Sequence, residues 1–218
     1  MDGSTLLLAI AFAAVGYAFG SVPVGVLVAR ATGGTDPRTI GSGRTGTTNA
    51  LRAMGPRGAG IVVLGDLLKG VVPVLLARLF TGGDPLVEVA TATSALIGSC
   101  RSMFLGFGGG RGVVTLGGTM LVILPVTVIV QLAVLLATLA ISRYMSLGSL
   151  LGSAAILPAT LVVSAMTPGG LPLPVIIYAG IGPAIVWVAH ADNIDRLRHG
   201  SERRFDFGLL RGGGAGEG

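Results

Sequence analysis

The chain has almost none of the side chains that soluble enzymes favour for chemistry. Among 218 residues there is one cysteine and two histidines. A lone thiol, Cys100, allows no internal disulfide, and adding His190 and His199 still falls short of a zinc-type ligand set. No bound transition metal is expected. Charge is scarce as well: 11% of residues are charged, against about 25% in soluble domains. The formal net charge of +5 would suit nucleic acid, but the bases sit beside apolar runs and only 5% of residues are aromatic. Nucleic acid is therefore not an expected partner, whereas anionic lipid and phosphorylated small molecules are.

What fills the chain instead is apolar. Hydrophobic residues make up 51% and the mean hydropathy is +0.83, which implies an all-α polytopic membrane protein. The 37 glycines fit that class, since small residues let helices approach closely in lipid. Charge-free or nearly charge-free runs predict about seven transmembrane helices, over 6–28, 58–80, 86–98, 113–124, 125–141, 147–166 and 174–189. At 1.5 Å per residue the longer runs cross a hydrocarbon core of about 30 Å. The residues ahead of Leu6 carry an acid and no base, so this run is expected to be a retained helix rather than a cleaved signal. Gly20, Ser21 and Pro23 interrupt it, and a break at that depth predicts an inner end that lines the site. Asp66 and Lys69 share a helix face inside the second span and predict a pair.

Three polar islands stand between the runs: Gly41 to Arg52 (GSGRTGTTNALR), Gly106 to Gly112 (GFGGGRG) and His190 to Asn193 (HADN). Glycines let backbone N–H groups converge on an anion, and arginine adds a fixed fork of charged donors. The composition points to phosphate. With the N-terminus outside, the inner segments collect thirteen arginines (30, 38, 44, 52, 57, 101, 111, 143, 196, 198, 203, 204 and 211), while the outer ones keep only Arg78 beside Asp84 and Glu88. The positive-inside rule then puts all three islands and the C-terminus on the cytoplasmic side.

In order and spacing, GSVPVGVLVAR, GSGRTGTTNALRAMG, GDLLKGVVPVLLA, FLGFGGGRGVVT, SRYMSLGSLL and HADNIDRLRHGSE resemble the bacterial acyl-phosphate-dependent glycerol-3-phosphate acyltransferases, the PlsY family. The likeness runs to about Arg204. It implies a multi-pass cell-membrane enzyme of phospholipid synthesis, with its active site facing the cytoplasm. The enzyme would move a fatty acyl group from acyl phosphate to the sn-1 hydroxyl of glycerol 3-phosphate, giving lysophosphatidic acid and phosphate without metal or cofactor. Residues 1–204 are expected to form one integral-membrane domain and 205–218 a flexible cytoplasmic tail.

Carried over by position, the functional residues fall on Ser42, Asn49 and Arg52, on the second island's glycines and Arg111, and on His190 and Asn193. The expected roles are catalytic for Ser42, Arg52, Arg111, His190 and Asn193. Gly43, Arg44, Thr47, Asn49, Gly109, Gly110, Gly112 and Arg101 are expected to bind substrate phosphate. Three departures stand out: Ser42-Gly43-Arg44-Thr45-Gly46 replaces the family's SGNPG, Ser99 and Ser102 replace a histidine and a proline, and Gly108 to Gly112 reads GGGRG in place of KGGKG. Arg44 and Arg101 are the candidates to restore the lost positive charge.

Plainer roles compete at several positions. Ser42 lacks the GxSxG elbow of a covalent nucleophile and also suits a helix cap. Glycines 108–110 suit a turn, His190 suits a helix end, and Arg196 to Arg204 suit an anchor to anionic lipid. A divergent paralogue that binds lipid or polyol phosphate with an altered acceptor or without catalysis, and a transporter of phosphorylated metabolites, are the alternative functions.

Overall fold

In lipid the backbone has no partner but itself, so runs this apolar fold as helices. The computed structural model describes residues 3–211, and every regular element among them is helical. These are α1 (Gly3–Ser21), α2 (Val24–Thr32), α3 (Thr47–Thr81), α4 (Pro85–Cys100), α5 (Val113–Ile123), α6 (Pro125–Ser142), α7 (Met145–Ala154), α8 (Ile156–Met166), α9 (Leu173–Ala189) and α10 (Ala191–Arg198), with 3-10 turns at 37–39, 103–105 and 207–211. By length and composition four stretches can cross a membrane: 3–32, 47–81, 125–142 and 145–166. A fifth is added if α9 and α10, bent by 65° at His190, count as one. Two of the seven expected spans correspond to α4 and α5, which at 16 and 11 residues are shorter than the roughly 20 a span needs.

Helix ends follow local chemistry. Asp84 accepts from the N–H groups of Leu86 and Val87 while Pro85 opens α4, the usual division of labour at an N-terminus. Pro125 starts α6 at the expected turn. The second long helix begins well before the expected Gly58, because Thr47 to Met54 is already helical and the chain only kinks at Gly55, with φ +68°. Half of the first polar island is therefore helix rather than loop.

Glycine sets how closely the helices pack. A Cβ on Gly20 would overlap the Ala95 carbonyl of α4, and one on Gly118 of α5 would overlap the Leu67 carbonyl of α3. The central apolar cluster then draws on α3 (Val74), α4 (Leu96), α5 (Leu116, Met120), α8 (Ile156) and α9 (Tyr178, Val186). Tyr178 is fully buried, and its hydroxyl is satisfied by Thr119 Oγ1 at 2.6 Å. On the other side of the bundle from the polar islands, Arg78 binds Glu88 through Nε and Nη2, both at 2.7 Å, and donates Nη1 to the Val122 carbonyl. One guanidinium thus ties the ends of α3, α4 and α5.

The break between α1 and α2 is covered by protein. Ser102 Oγ donates to the Ser21 carbonyl, and Lys69 Nζ donates to the Val22 carbonyl at 3.1 Å. Lys69 in turn pairs with Asp66 at 2.9 Å, as the sequence predicts. The inner end of the first helix does not line the polar cavity described below; it borders a separate, shallower pocket with Phe104 and Leu105. Its freed carbonyls are held by side chains of other segments, so the break serves packing.

The expected tail also begins later than residue 205. Phe205 is buried against Leu51, Ala59 and Leu139, and its N–H donates to the Arg143 carbonyl at 2.6 Å. Residues 212–218 lie outside the described residues.

The close α3–α5 contact predicts that Gly118→Ala lowers the unfolding temperature in detergent by the equivalent of about 1–3 kcal/mol, the usual cost of overpacking. Gly180→Ala on α9, where a Cβ meets nothing within 4 Å, leaves it unchanged.

Candidate active site

The first island folds around one amide. Asn49, buried in the first turn of α3, donates Nδ2 to the carbonyls of Pro37, Ile40 and Arg44 and accepts the Ser42 N–H on Oδ1. The loop must pass so close that a Cβ on Gly41, at φ +55°, would overlap Asn49 Oδ1 and lie 3.6 Å from Arg52 Nη1. Asn49 therefore organises the loop. All its donor capacity goes to the backbone, so at the edge of the cavity described below Asn49 serves to hold the loop.

The second island packs on the end of α4. Gly110 N–H donates to the Ser99 carbonyl at 2.9 Å, and a Cβ on Gly109 would come 2.6 Å from that carbonyl. Neither glycine lines the cavity; their backbones hold the loop against α4. Gly112, at φ +77°, caps α5 with its backbone directed so that Leu96 and Cys100 leave no room for a side chain.

The third island is the hub of a charged network. Arg111 Nη2 reaches Asp192 Oδ2 at 2.8 Å, Arg196 Nη2 reaches the same oxygen at 3.1 Å, and Arg196 Nε binds Glu202 Oε2 at 2.7 Å. Glu202 Oε1 also accepts from Asn193 Nδ2 at 2.7 Å and from Ser146 Oγ at 2.9 Å. Four segments are joined in this way: the loop before α5, the start of α7, α10, and the strand-like segment after it. Burial pushes the Asp192 carboxyl up, but Arg111 and Arg196 outweigh it and leave the group below the usual carboxylate range. Burial draws the Arg111 guanidinium below its ordinary value, an effect that Asp192 opposes.

These islands surround a cavity of about 470 Å³, within the range of small-molecule sites. Two helix N-termini open into it, Gly46 to Thr48 of α3 and Gly112 to Thr115 of α5. Their first-turn N–H groups lack intrahelical partners and favour anions. Arg44, Arg52, Arg111, Arg196 and Arg203 line the same space, and among the described residues Arg44, Arg52 and Arg203 have no carboxylate partner. The Thr47 hydroxyl, Arg111 Nε and Asn193 Oδ1 are buried with their hydrogen-bonding capacity unspent. An apolar wall of Val63, Val113, Val114, Leu132, Leu135 and Met145 completes the cavity.

His190 ends α9 and is buried, with Nδ1 at 2.8 Å from the Val186 carbonyl. A carbonyl only accepts, so Nδ1 carries the proton and Nε2 is left as an acceptor. Burial holds the imidazole neutral, its pKa pushed down to about 4.

Of the expected catalytic residues, Ser42, Arg52, Arg111, His190 and Asn193 all line this cavity, as do Arg44, Thr47, Asn49 and Gly112 of the expected phosphate-binding set. Gly43 and Arg101 do not. Gly43 is exposed on the outer side of its turn, and Arg101 caps the end of α4 with its side chain in solvent and its carbonyl bound by Tyr17. Arg44 is thus the one compensating cation of the two that reaches the cavity, close enough to act electrostatically on Arg111. Sequence reasoning missed Asp192, Arg196, Glu202 and Arg203, grouping the arginines as a lipid anchor. The i, i+4 spacing of Asp192 and Arg196 on a short amphipathic helix was the available signal.

The profile of the family described as Glycerol-3-phosphate acyltransferase matches residues 10–200. A glycerol-3-phosphate acyltransferase of Rubrobacter xylanophilus is 40% identical over 213 residues, covering 95% of this chain and 100% of the relative. One of Geobacter sulfurreducens is 44% identical over 193 residues, covering 88% and 95%. Among solved structures, the chain is similar to the crystal structure of PlsY, an integral membrane glycerol 3-phosphate acyltransferase, in its glycerol 3-phosphate form. That match has a TM-score of 0.82 and 33% identity, covering 94% of this chain and 96% of that one. The lysophosphatidic acid form gives 0.80 and 31%, covering 96% and 99%.

Two outcomes follow from the geometry. Asn49→Ala strands buried carbonyls at about 1–3 kcal/mol each, so it lowers the unfolding temperature, whereas Arg52→Ala does not; a purely ligand-binding Asn49 would leave the temperature unchanged. For His190, the native pKa of about 4 lies below the unfolded value of about 6.5. The unfolded chain therefore binds the extra proton between these values, and stability falls as pH drops from 6.5 towards 4. Thermal melts across that window should show a smaller drop for His190→Gln than for the parent.

Proposed function

Since the chain belongs to the glycerol-3-phosphate acyltransferase family, we propose that it transfers a fatty acyl group from acyl phosphate to the first hydroxyl of glycerol 3-phosphate. The observation that carries this reading is one cavity offering two helix N-termini and three arginines without carboxylate partners. That is provision for two phosphate groups, one on each reactant, and a thioester donor would bring no phosphate to the reacting carbonyl. The apolar wall beside Val113 and Val114 suits the acyl chain.

The chemistry needs positioning and charge stabilisation more than a nucleophilic side chain. His190 Nε2 and Asn193 Oδ1 are acceptors on the cavity wall, matched to hydroxyl donors of a polyol. They orient the acceptor so that its terminal oxygen attacks the acyl carbonyl carbon. A new C–O ester bond forms, the C–O bond to the donor phosphate breaks, and the hydroxyl proton passes to the departing phosphate. Arg111 Nε, the first-turn N–H groups of α5, and Arg44 stabilise the negative charge that develops on the carbonyl oxygen and the leaving group. Ser42, Thr47 and Arg52 hold phosphate at the start of α3.

Residues 1–204 act as one membrane unit, to which Phe205 and Leu209 anchor the segment that follows. The arginine asymmetry along the chain supports an outer N-terminus, a cytoplasmic C-terminus and a cavity facing the cytoplasm.

Purified protein given palmitoyl phosphate and labelled glycerol 3-phosphate should form labelled lysophosphatidic acid and inorganic phosphate. Arg52→Ala should reduce kcat/KM by about a hundredfold or more. Binding of glycerol 3-phosphate without transfer would instead favour a non-catalytic paralogue, and flux into sealed vesicles a transporter.

A further inference from the structure

Arg203 counts among the cavity's arginines without a carboxylate partner, but the steps above assign it to neither reactant. Arg203 lies in the extended segment between α10 and the 3-10 turn at 207–211, and lines the cavity from its solvent-exposed edge. Its neighbours are tied down on both sides. Glu202 is held by Ser146, Asn193 and Arg196. Arg204 stacks over Tyr144 at 6.0 Å, and Phe205 is buried against Leu51, Ala59 and Leu139. With both flanks fixed, the position of Arg203 is set by the fold rather than by a mobile tail.

Its setting is electrostatically unfavourable as it stands. Arg203 acts on Arg52 as a like charge, with Glu202 only partly offsetting it, and among the described residues neither arginine has a carboxylate within ion-pair distance. Holding two cations together where solvent is partly excluded costs energy that a bridging dianion removes. The pair also forms a gradient, with Arg203 exposed and Arg52 half-buried. The acyl donor must lay its chain on the apolar wall that begins at Val113, which places its phosphate near Arg111 and Arg44. What remains at the water-facing side suits the soluble reactant.

We infer that Arg203 and Arg52 form an anion subsite at the cavity mouth that captures the phosphomonoester of the water-soluble acceptor, making Arg203 a determinant of acceptor affinity rather than of the transfer step. This rests on the proposed function. The test is steady-state kinetics on the purified full-length protein, varying glycerol 3-phosphate and palmitoyl phosphate separately. Arg203→Gln should raise KM for glycerol 3-phosphate roughly threefold to tenfold, the range for one charged contact at a partly exposed site. It should leave kcat, KM for palmitoyl phosphate and the unfolding temperature within about twofold or unshifted. Arg203→Lys should recover most of the loss, and Arg198→Gln, an exposed change on α10 away from the cavity, should have no effect. An unchanged KM for glycerol 3-phosphate in Arg203→Gln, or an equal rise for both substrates, overturns the inference. If the parent protein shows no transfer, the proposed function fails instead. Calorimetric binding of glycerol 3-phosphate then decides the subsite by itself: weaker binding by Arg203→Gln upholds it and equal binding removes it.

Discussion

Five arginines share one cavity at the end of an apolar bundle, and their mutual repulsion where water is partly excluded has to be offset for the site to exist at all. Two carboxylates do most of this. Asp192 bridges Arg111 and Arg196, and Glu202 takes the other side of Arg196 together with Asn193 and Ser146. The network leaves Arg44, Arg52 and Arg203 uncompensated, so the cavity keeps a surplus of positive charge for anionic reactants. It also fixes Asn193 with its amide nitrogen spent and its carbonyl oxygen available. Neutralisation and orientation are thus the same set of hydrogen bonds.

Glycine serves the site indirectly. Where α5 meets α3, Gly118 and Gly70 bring the backbones so close that the α5 N-terminus sits beside the α3 residues facing the cavity. Where the loops must fold back, Gly41 and Gly112 adopt left-handed backbone conformations with no space for a Cβ. The glycines of the second island were read from the sequence as phosphate ligands, yet Gly109 and Gly110 pack on the carbonyl end of α4. Of these glycines only Gly112 lines the cavity, and sequence does not separate them, because a glycine needed for close approach looks the same in sequence as one needed to expose an N–H group.

The membrane class, the polar islands and most cavity residues could be read from residue order. Ser42, Arg44, Arg52, Arg111, His190 and Asn193 were all named from composition and resemblance, and all line one space. Asn49 lines it too, but its part in holding the loop was not legible: its four hydrogen bonds connect residues up to 12 positions apart in sequence, which no local pattern reveals. Arg101 was named because it is basic and near the second island, but α4 ends there and turns the side chain into solvent.

By itself the sequence determined a helical membrane chain with basic, glycine-rich segments gathered between apolar runs, since hydropathy and charge depend on residue identity alone. The tertiary structure decided which of those residues meet. It converted half of the first island into the start of α3, brought a second helix N-terminus to face it, and closed the cavity with Glu202 and Arg203 together with Phe205, the first residue of the expected tail. Those outcomes depend on long-range packing and on which buried charges find partners, and both are properties of the folded arrangement rather than of any stretch of chain.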